Sequence, residues 1–197
     1  FAGKKVLVFG TGISGIAAAK LLENVGAAVV LFDGNQELDK KHVLENFEAD
    51  HMPELYVGEL PEEVRAGLDL VVLSPGVPTD LPFVNELRDA GLPIWGEIEL
   101  AYRCKKGDVL AITGTNGKTT TTSLLGEIMK NYAQSSFVVG NIGNPYTSIA
   151  LQTREDSVIV AEMSSFQLET IQTFRPRVSA ILNITPDHLN RHHTMEA

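Results

Sequence analysis

Cysteine is nearly absent: Cys104 is the only one in 197 residues. A disulfide framework and a cysteine-rich zinc site are thereby excluded. Basic charge is scarce as well. Lys+Arg number 16 against 25 Asp+Glu, which gives a formal net charge of −9 and an isoelectric point near 5.0. A polyanion binder working through bulk charge is excluded, and nucleic acid with it. An anionic ligand would need local backbone N–H groups and single lysines to hold it. No apolar run approaches the ~20 residues of a membrane span, and the opening FAGKKVLVFG has no signal-peptide layout. The reading is a soluble, cytoplasmic protein with no membrane partner, in which the sequon Asn183-Ile184-Thr185 is chance. There is no initiator methionine, and the run from His192 to Ala197 carries neither a helix stop nor a turn signal. A piece of a longer chain is expected.

What is present is ordinary globular composition, 44% hydrophobic and 21% charged, on a chain long enough for one large or two small domains. Strand-length apolar runs alternate with helical spacing. Lys5–Phe9 ends in glycine. Residues 13–25 carry apolar side chains at 13, 16, 17, 21, 22 and 25, a helical period. Ala28–Phe32 ends at Asp33, Leu70–Leu73 ends at Ser74-Pro75-Gly76, and Leu81–Ala90 reads as a helix stopped by Gly91. Leu55-Tyr56-Val57 is a weaker strand. A second series follows Lys105-Lys106-Gly107: strands at Val109–Ile112, Phe137–Val139, Val158–Ala161 and Val178–Leu182. A helix over Thr119–Tyr132 joins them, apolar at 124, 125, 128, 129 and 132. Continuous rather than alternating hydrophobicity marks strands buried on both faces. The expected fold is α/β, with two tandem parallel-sheet units: a Rossmann-like domain over 1–97 and a P-loop-type domain over 98–197. Glu97–Arg103 is the expected joining helix. Trp95, Tyr102 and Phe166 read as core or interdomain packing.

Gly10-Thr11-Gly12-Ile13-Ser14-Gly15 satisfies G-x-G-x-x-G between the first strand and the first helix. The glycines let backbone turn sharply and approach a pyrophosphate, and the helix N-terminus offers unpaired N–H groups. Asp33, eighteen residues after Gly15, stands near where a ribose-binding acid is expected. NAD, FAD or a single nucleoside diphosphate all satisfy this pattern, and the first unit, about 95 residues, is short for a full dinucleotide fold.

Thr113-Gly114-Thr115-Asn116-Gly117-Lys118-Thr119-Thr120 contains G-K-T between a buried strand and a helix. Backbone amides would cradle phosphate, Lys118 would meet the outer phosphates and the Thr119 hydroxyl would ligate Mg²⁺. The usual spacing puts a further glycine where Ile112 stands, so the loop is a shortened one. Four consecutive threonines, 119–122, open a helix poorly by propensity, which suggests that bound phosphate holds that turn. Asn141, Glu162 and His188 each follow a strand, where parallel sheets gather ligands. Beside the loop, Glu162 and His188 suit Mg²⁺ or Mn²⁺. Ser164-Ser165 lacks a nucleophile elbow and reads as a polar wall for substrate. His192 and His193 read as surface residues.

These residues resemble the Mur ligases and folylpolyglutamate synthases. The phosphate loop, Gly140-Asn141-Ile142-Gly143, Glu162 and Asn183-Ile184-Thr185-Pro186-Asp187-His188-Leu189 occur there in the same order. Glu162-Met163-Ser164-Ser165-Phe166-Gln167-Leu168-Glu169, Ser74-Pro75-Gly76 and Gly96-Glu97-Ile98-Glu99-Leu100 resemble the D-glutamate-adding branch. The resemblance implies three domains, for the UDP part of the substrate, ATP and the amino acid, of which this sequence resembles the first and the opening of the second. It implies that Gly12, Ile13 and Ser14 hold the diphosphate of a UDP-sugar rather than NAD. Asp33, Gly34 and Asn35 would lie near uracil, Gly34 and Asn35 standing where some members carry Thr-Arg. Ser74, Gly76, Asn141, Ser164 and Gln167 would line the diphosphate and muramoyl part. It implies ATP held by Gly114, Thr115, Asn116, Gly117, Lys118, Thr119 and Thr120, with Lys118, Glu162 and His188 catalytic and Thr119, Glu162 and His188 on metal. The implied substrates are UDP-N-acetylmuramoyl-L-alanine, ATP and D-glutamate. The implied protein is a monomer that makes peptidoglycan precursor through an acyl phosphate, and this piece alone is expected to be inactive. A sister ligase of that family, a nicotinamide-dependent dehydrogenase and a non-catalytic nucleotide-binding module are the rival readings.

Overall fold

Val6, Leu7 and Val8 are sealed from solvent on both faces of strand β1 (Lys5–Phe9). The computed structural model, which describes residues 1–196, shows why. β1 is the middle strand of an all-parallel five-stranded sheet, order β3-β2-β1-β4-β5, with β2 (Ala28–Asp33), β3 (Glu54–Val57), β4 (Leu70–Leu73) and β5 (Ile94–Gly96). Crossover α-helices α1 (Ile13–Asn24), α2 (Lys40–Leu44), α3 (Glu62–Arg65) and α4 (Pro82–Asp89) follow the first four strands in turn. The strand order reverses beside β1, between β2 and β4. There the carboxyl ends open a crevice suited to a ligand.

Helix α5 (Glu97–Cys104) leads into a second all-parallel sheet, order β7-β8-β6-β9, with β6 (Asp108–Thr113), β7 (Ser136–Gly140), β8 (Val158–Glu162) and β9 (Val178–Ile181). Helix α6 (Lys118–Tyr132), α7 (Tyr146–Ile149) with a 3-10 turn (Ala150–Gln152), α8 (Ser165–Leu168) and α9 (Leu189–His192) complete it. All residues from Glu97 to Ala101 of α5 are buried. The helix packs on α1, β4 and β5 on one side and on α7 and the 3-10 turn on the other. One hydrophobic cluster therefore runs through both units, from Val6 and Leu22 to Tyr146 and Ile159.

Two acids on α5 tie the units together. Glu99 accepts the N–H groups of Gln172, Thr173 and Phe174 and the Arg103 Nε–H, the latter at 2.7 Å. Glu97 accepts the N–H of Thr147 at 3.1 Å and its hydroxyl at 3.3 Å, while its second oxygen has no partner. Trp95 and Tyr102 pack across the boundary as expected, donating to Gln172 Oε1 and the Arg175 carbonyl.

Two expectations need correction. Only part of the apolar pattern of α6 faces inward: Leu125 and Met129 are half-buried beside Thr122 and Gly126. Leu124, Ile128 and Tyr132 are exposed, and the buried positions are Thr122 and Gly126. The cause is close approach: a Cβ on Gly126 would stand 2.4 Å from Val138 Cγ2. His192, expected at the surface, is half-buried. Its ring lies 5.5 Å from that of Phe166 and its Nε2 is 2.9 Å from Ser165 Oγ, whereas His193 is exposed. Among the described residues no helix is long and apolar enough to cross a membrane.

Candidate nucleotide-binding site

The glycine-rich turn links β1 to α1 at the switch point of the first sheet. Gly10 takes φ +100°, which L side chains rarely adopt, and a Cβ on Gly15 would lie 1.8 Å from the Gly10 carbonyl oxygen. Gly12, the N-cap of α1, meets nothing within 4 Å and offers no side-chain cap. No side chain caps the amides of the first turn, the arrangement that receives an anion. Asp33 braces the turn. Its Oδ2 accepts Thr11 N–H at 3.1 Å and the Thr11 hydroxyl at 2.8 Å, and its Oδ1 accepts Asn35 N–H at 3.0 Å. The carboxylate expected to meet a ribose or uracil is therefore engaged in holding the turn. Across the crevice, Ser74 donates its hydroxyl to the Gly10 carbonyl at 3.1 Å, and Gly76 faces open space.

The second glycine turn links β6 to α6. Gly114 takes φ +138° and Gly117, the N-cap of α6, takes φ +83°. No side chain caps α6, so the amides that open it at Lys118, Thr119 and Thr120 are left for a ligand. The side chains of Thr119 and Thr120 are exposed. Lys118 folds back, its Nζ donating to the carbonyls of Gly114 at 2.7 Å and Thr115 at 2.9 Å. The loop is pinned from β9. Asn183 Oδ1 accepts Asn116 N–H and its Nδ2 donates to the Asn116 carbonyl. Thr115 N–H donates to the Asn183 carbonyl, and Thr115 Oγ1 pairs with Thr185 in both directions. Asn183 was not among the residues expected to act at the site. Its signal in the sequence is its place directly after a strand, as with Asn141 and Glu162.

Glu162 ends β8, next to β6. It is 1% exposed; its Oε1 accepts Asn141 Nδ2 at 2.9 Å and its Oε2 has no partner. A buried carboxylate oxygen without a donor is costly unless a cation or donor meets it. That orphan oxygen, with the exposed Thr119 hydroxyl at the head of α6, fits a hard cation taking oxygen ligands. His188 sits apart, at φ +51°, over Phe166 with ring centroids 4.9 Å apart and its Nε2 3.7 Å from Asp187. Among the described residues no three His, Cys, Asp or Glu side chains gather as a metal group. Ser164 and Gln167 form a capping box on α8. Ser164 N–H donates to Gln167 Oε1 at 2.9 Å, Gln167 N–H donates to Ser164 Oγ, and Gln167 is buried. A cavity of about 540 Å³ runs between α1 and α7; of the expected residues it touches Ile13 alone.

Two parallel α/β units, each with an uncapped glycine turn at its carboxyl edge, define the class: a tandem α/β protein of two all-parallel sheets. Its sequence matches the Mur ligase MurD-like N-terminal domain over residues 4–96 and the Mur ligase middle domain over residues 112–197. The chain belongs to the Mur ligase family. Among curated relatives, the UDP-N-acetylmuramoylalanine–D-glutamate ligase of Lachnoclostridium phytofermentans is 62% identical over 197 residues, covering 100% of this chain and 43% of that protein. The enzyme of the same name from Clostridioides difficile is 49% identical over 195 residues, covering 98% and 43%. The chain thus spans less than half the length of these relatives. Among solved structures, the UDP-N-acetylmuramate–alanine ligase of Thermotoga maritima matches with a TM-score of 0.53 at 25% identity, over 96% of this chain and 43% of that one. The UDP-N-acetylmuramate:L-alanyl-γ-D-glutamyl-meso-diaminopimelate ligase of Neisseria meningitides shares the fold, with a TM-score of 0.58 at 19% identity over 96% and 63%.

Proposed function

We propose that the whole protein joins D-glutamate to UDP-N-acetylmuramoyl-L-alanine at the expense of ATP, and that this chain carries its sugar-nucleotide unit, residues 1–97, and the first part of its ATP unit, residues 98–197. The observation that carries the reading is the uncapped Lys118 turn beside Glu162, whose Oε2 is buried without a partner. The relatives of the same D-glutamate ligase name support it.

In this reading the turn at 114–120 binds the triphosphate through its amides. Lys118 leaves the Gly114 and Thr115 carbonyls to meet the phosphoryl group in transfer. The alanyl carboxylate forms a bond to the γ-phosphorus as the bond to ADP breaks. The D-glutamate amine then adds to the acyl phosphate, loses a proton and expels phosphate. The chain's own contribution is positioning and charge neutralisation, the usual terms for phosphoryl transfer. Thr119 and Glu162 would hold Mg²⁺ or Mn²⁺, with His188 on a second ion. Such an ion would supply neutralising charge at the phosphates. Gly12, Ile13 and Ser14 would receive the diphosphate, Asp33, Gly34 and Asn35 would edge the uracil, and Ser74, Gly76, Asn141, Ser164 and Gln167 would line the sugar. The protein is read as cytoplasmic and monomeric. The exposed apolar side chains of β9 and its exit, Val178, Ile181 and Ile184, suit cover by the additional length the relatives have.

Phosphate release from ATP by the full-length protein should require both the sugar nucleotide and D-glutamate. Release that ignores D-glutamate, or that follows another amino acid, would overturn the assignment. The 197-residue chain alone should show no turnover.

A further inference from the structure

Arg191, on α9, crosses from the second unit to the first. Its Nη1 donates to the Pro75 carbonyl at 3.4 Å and its Nη2 to the Val77 carbonyl at 3.3 Å. On the other side of the fork, Nε and Nη2 donate to the two oxygens of Glu169 at 3.1 and 2.8 Å. The guanidinium lies over the Phe166 ring, 4.4 Å from its centroid. Glu169 in turn accepts the Thr79 hydroxyl at 3.0 Å. The segment 74–79 is thus gripped at Pro75, Val77 and Thr79 by an Arg–Glu pair of the second unit. Its first residue, Ser74, holds the Gly10 carbonyl of the glycine turn.

This segment forms the far wall of the switch-point crevice, opposite α1. The space between it and Phe166, Gln167 and Arg191 measures only about 10 Å³, room for about one water. Arg191 therefore stands where it can hold the wall from behind, across a space of about one water. The contacts run in two directions from one plane, two to main-chain carbonyls and two to a carboxylate. Only a guanidinium supplies that set; an ammonium offers charge without the fork.

We propose that Arg191 is a positioning residue, fixing segment 74–79 against the glycine turn so that the crevice accepts a nucleoside-diphosphate sugar. The identity of that ligand rests on the function proposed above. The arginine acts through the wall and not through the triphosphate turn.

The test is steady-state phosphate release by the full-length protein, with the sugar nucleotide and ATP varied separately, for wild type, Arg191→Ala, Arg191→Lys and Glu169→Gln. Arg191→Ala should raise KM for the sugar nucleotide about tenfold or more, a loss of one or two of its hydrogen bonds to the wall. KM for ATP should stay within about twofold. Arg191→Lys should fail nearly as badly, because charge alone does not restore the fork, and added guanidinium ion should partly rescue Arg191→Ala. An unchanged sugar-nucleotide KM, or one that rises in step with that for ATP, would overturn the inference. Should Arg191→Ala not fold, Arg191→Lys and Glu169→Gln carry the same comparison. A wild type with no D-glutamate-dependent turnover would count instead against the ligase reading. Calorimetric binding of UDP to wild type and Arg191→Lys would then decide the inference: about tenfold weaker binding supports it and equal binding ends it.

Discussion

Asn183 and Asn116 hydrogen-bond in both directions, side-chain oxygen to backbone N–H at 2.9 Å and side-chain amide to backbone carbonyl at 2.8 Å. The pair fixes the middle of the phosphate turn to the end of β9, so the turn's free amides keep one arrangement before any ligand arrives. Replacing Asn183 by Ala removes two hydrogen bonds, each worth about 1 kcal/mol net. Binding of a non-hydrolysable ATP analogue should weaken about tenfold by calorimetry. Asn183→Asp should do worse, since it loses the donor and adds a negative charge beside the triphosphate site. An Asp variant that binds as well as wild type would remove Asn183 from the site.

Lys118 occupies the carbonyls of Gly114 and Thr115, so its ammonium must change partners when phosphate enters. Lys118→Ala should abolish measurable ATP-analogue binding while UDP-sugar affinity stays within about twofold, because the two glycine turns belong to different sheets. Equal loss at both would mean a single shared site.

Both glycine turns, and the parallel strands before them, were legible from the sequence because their signals are local: continuous apolar runs, glycines at fixed offsets, a lysine after the last of them. The strand-end placement of Asn141 and Glu162 was legible for the same reason. What was not legible depends on contacts distant in sequence. The inward face of α6 is set by Val138 closing on Gly126, so Leu124 and Ile128 turn outward against their hydrophobic pattern. Asp33 sits at the expected strand end, yet its oxygens are taken by Thr11 and Asn35. His192 sits beside Ser165 and Phe166 and Arg191 reaches Pro75 only because α8, α9 and the 74–79 segment converge, and no spacing rule encodes that.

At Gly15, helix α1 closes on the turn that follows β1. A methyl group there would overlap the Gly10 carbonyl oxygen at 1.8 Å and Ser74 Oγ at 2.8 Å. The first obstacle is backbone and cannot rotate away. Gly15→Ala should therefore cost about 3 kcal/mol in denaturant unfolding and should abolish UDP-sugar binding in whatever fraction folds. Gly12→Ala meets nothing within 4 Å, so its stability should stay within about 0.5 kcal/mol while anion binding falls. If the two variants lose stability equally, the close approach at Gly15 is not the reason for glycine there.

Glu99 supplies the pH dependence. Burial opposes its ionisation, but the Thr173 hydroxyl, the Gln172 amide, Arg103 and the Thr173 amide overcome that and bring its pKa down to about 2 from an ordinary 4.5. A carboxylate with a depressed folded pKa stabilises the native state fully above its unfolded value and loses that contribution as protons bind on the way to the folded value. The window is therefore about pH 4.5 down to about pH 2, and within it segment 172–174 should detach from α5. Glu99→Gln should lower stability at pH 7 by about 3 kcal/mol, the usual cost of removing one member of a buried ionic cluster, and should flatten the stability profile between pH 4.5 and 2. Chemical denaturation of wild type and variant across that range measures both. Parallel profiles for the two proteins would mean that the acid sensitivity of the joint between the units lies elsewhere than in Glu99.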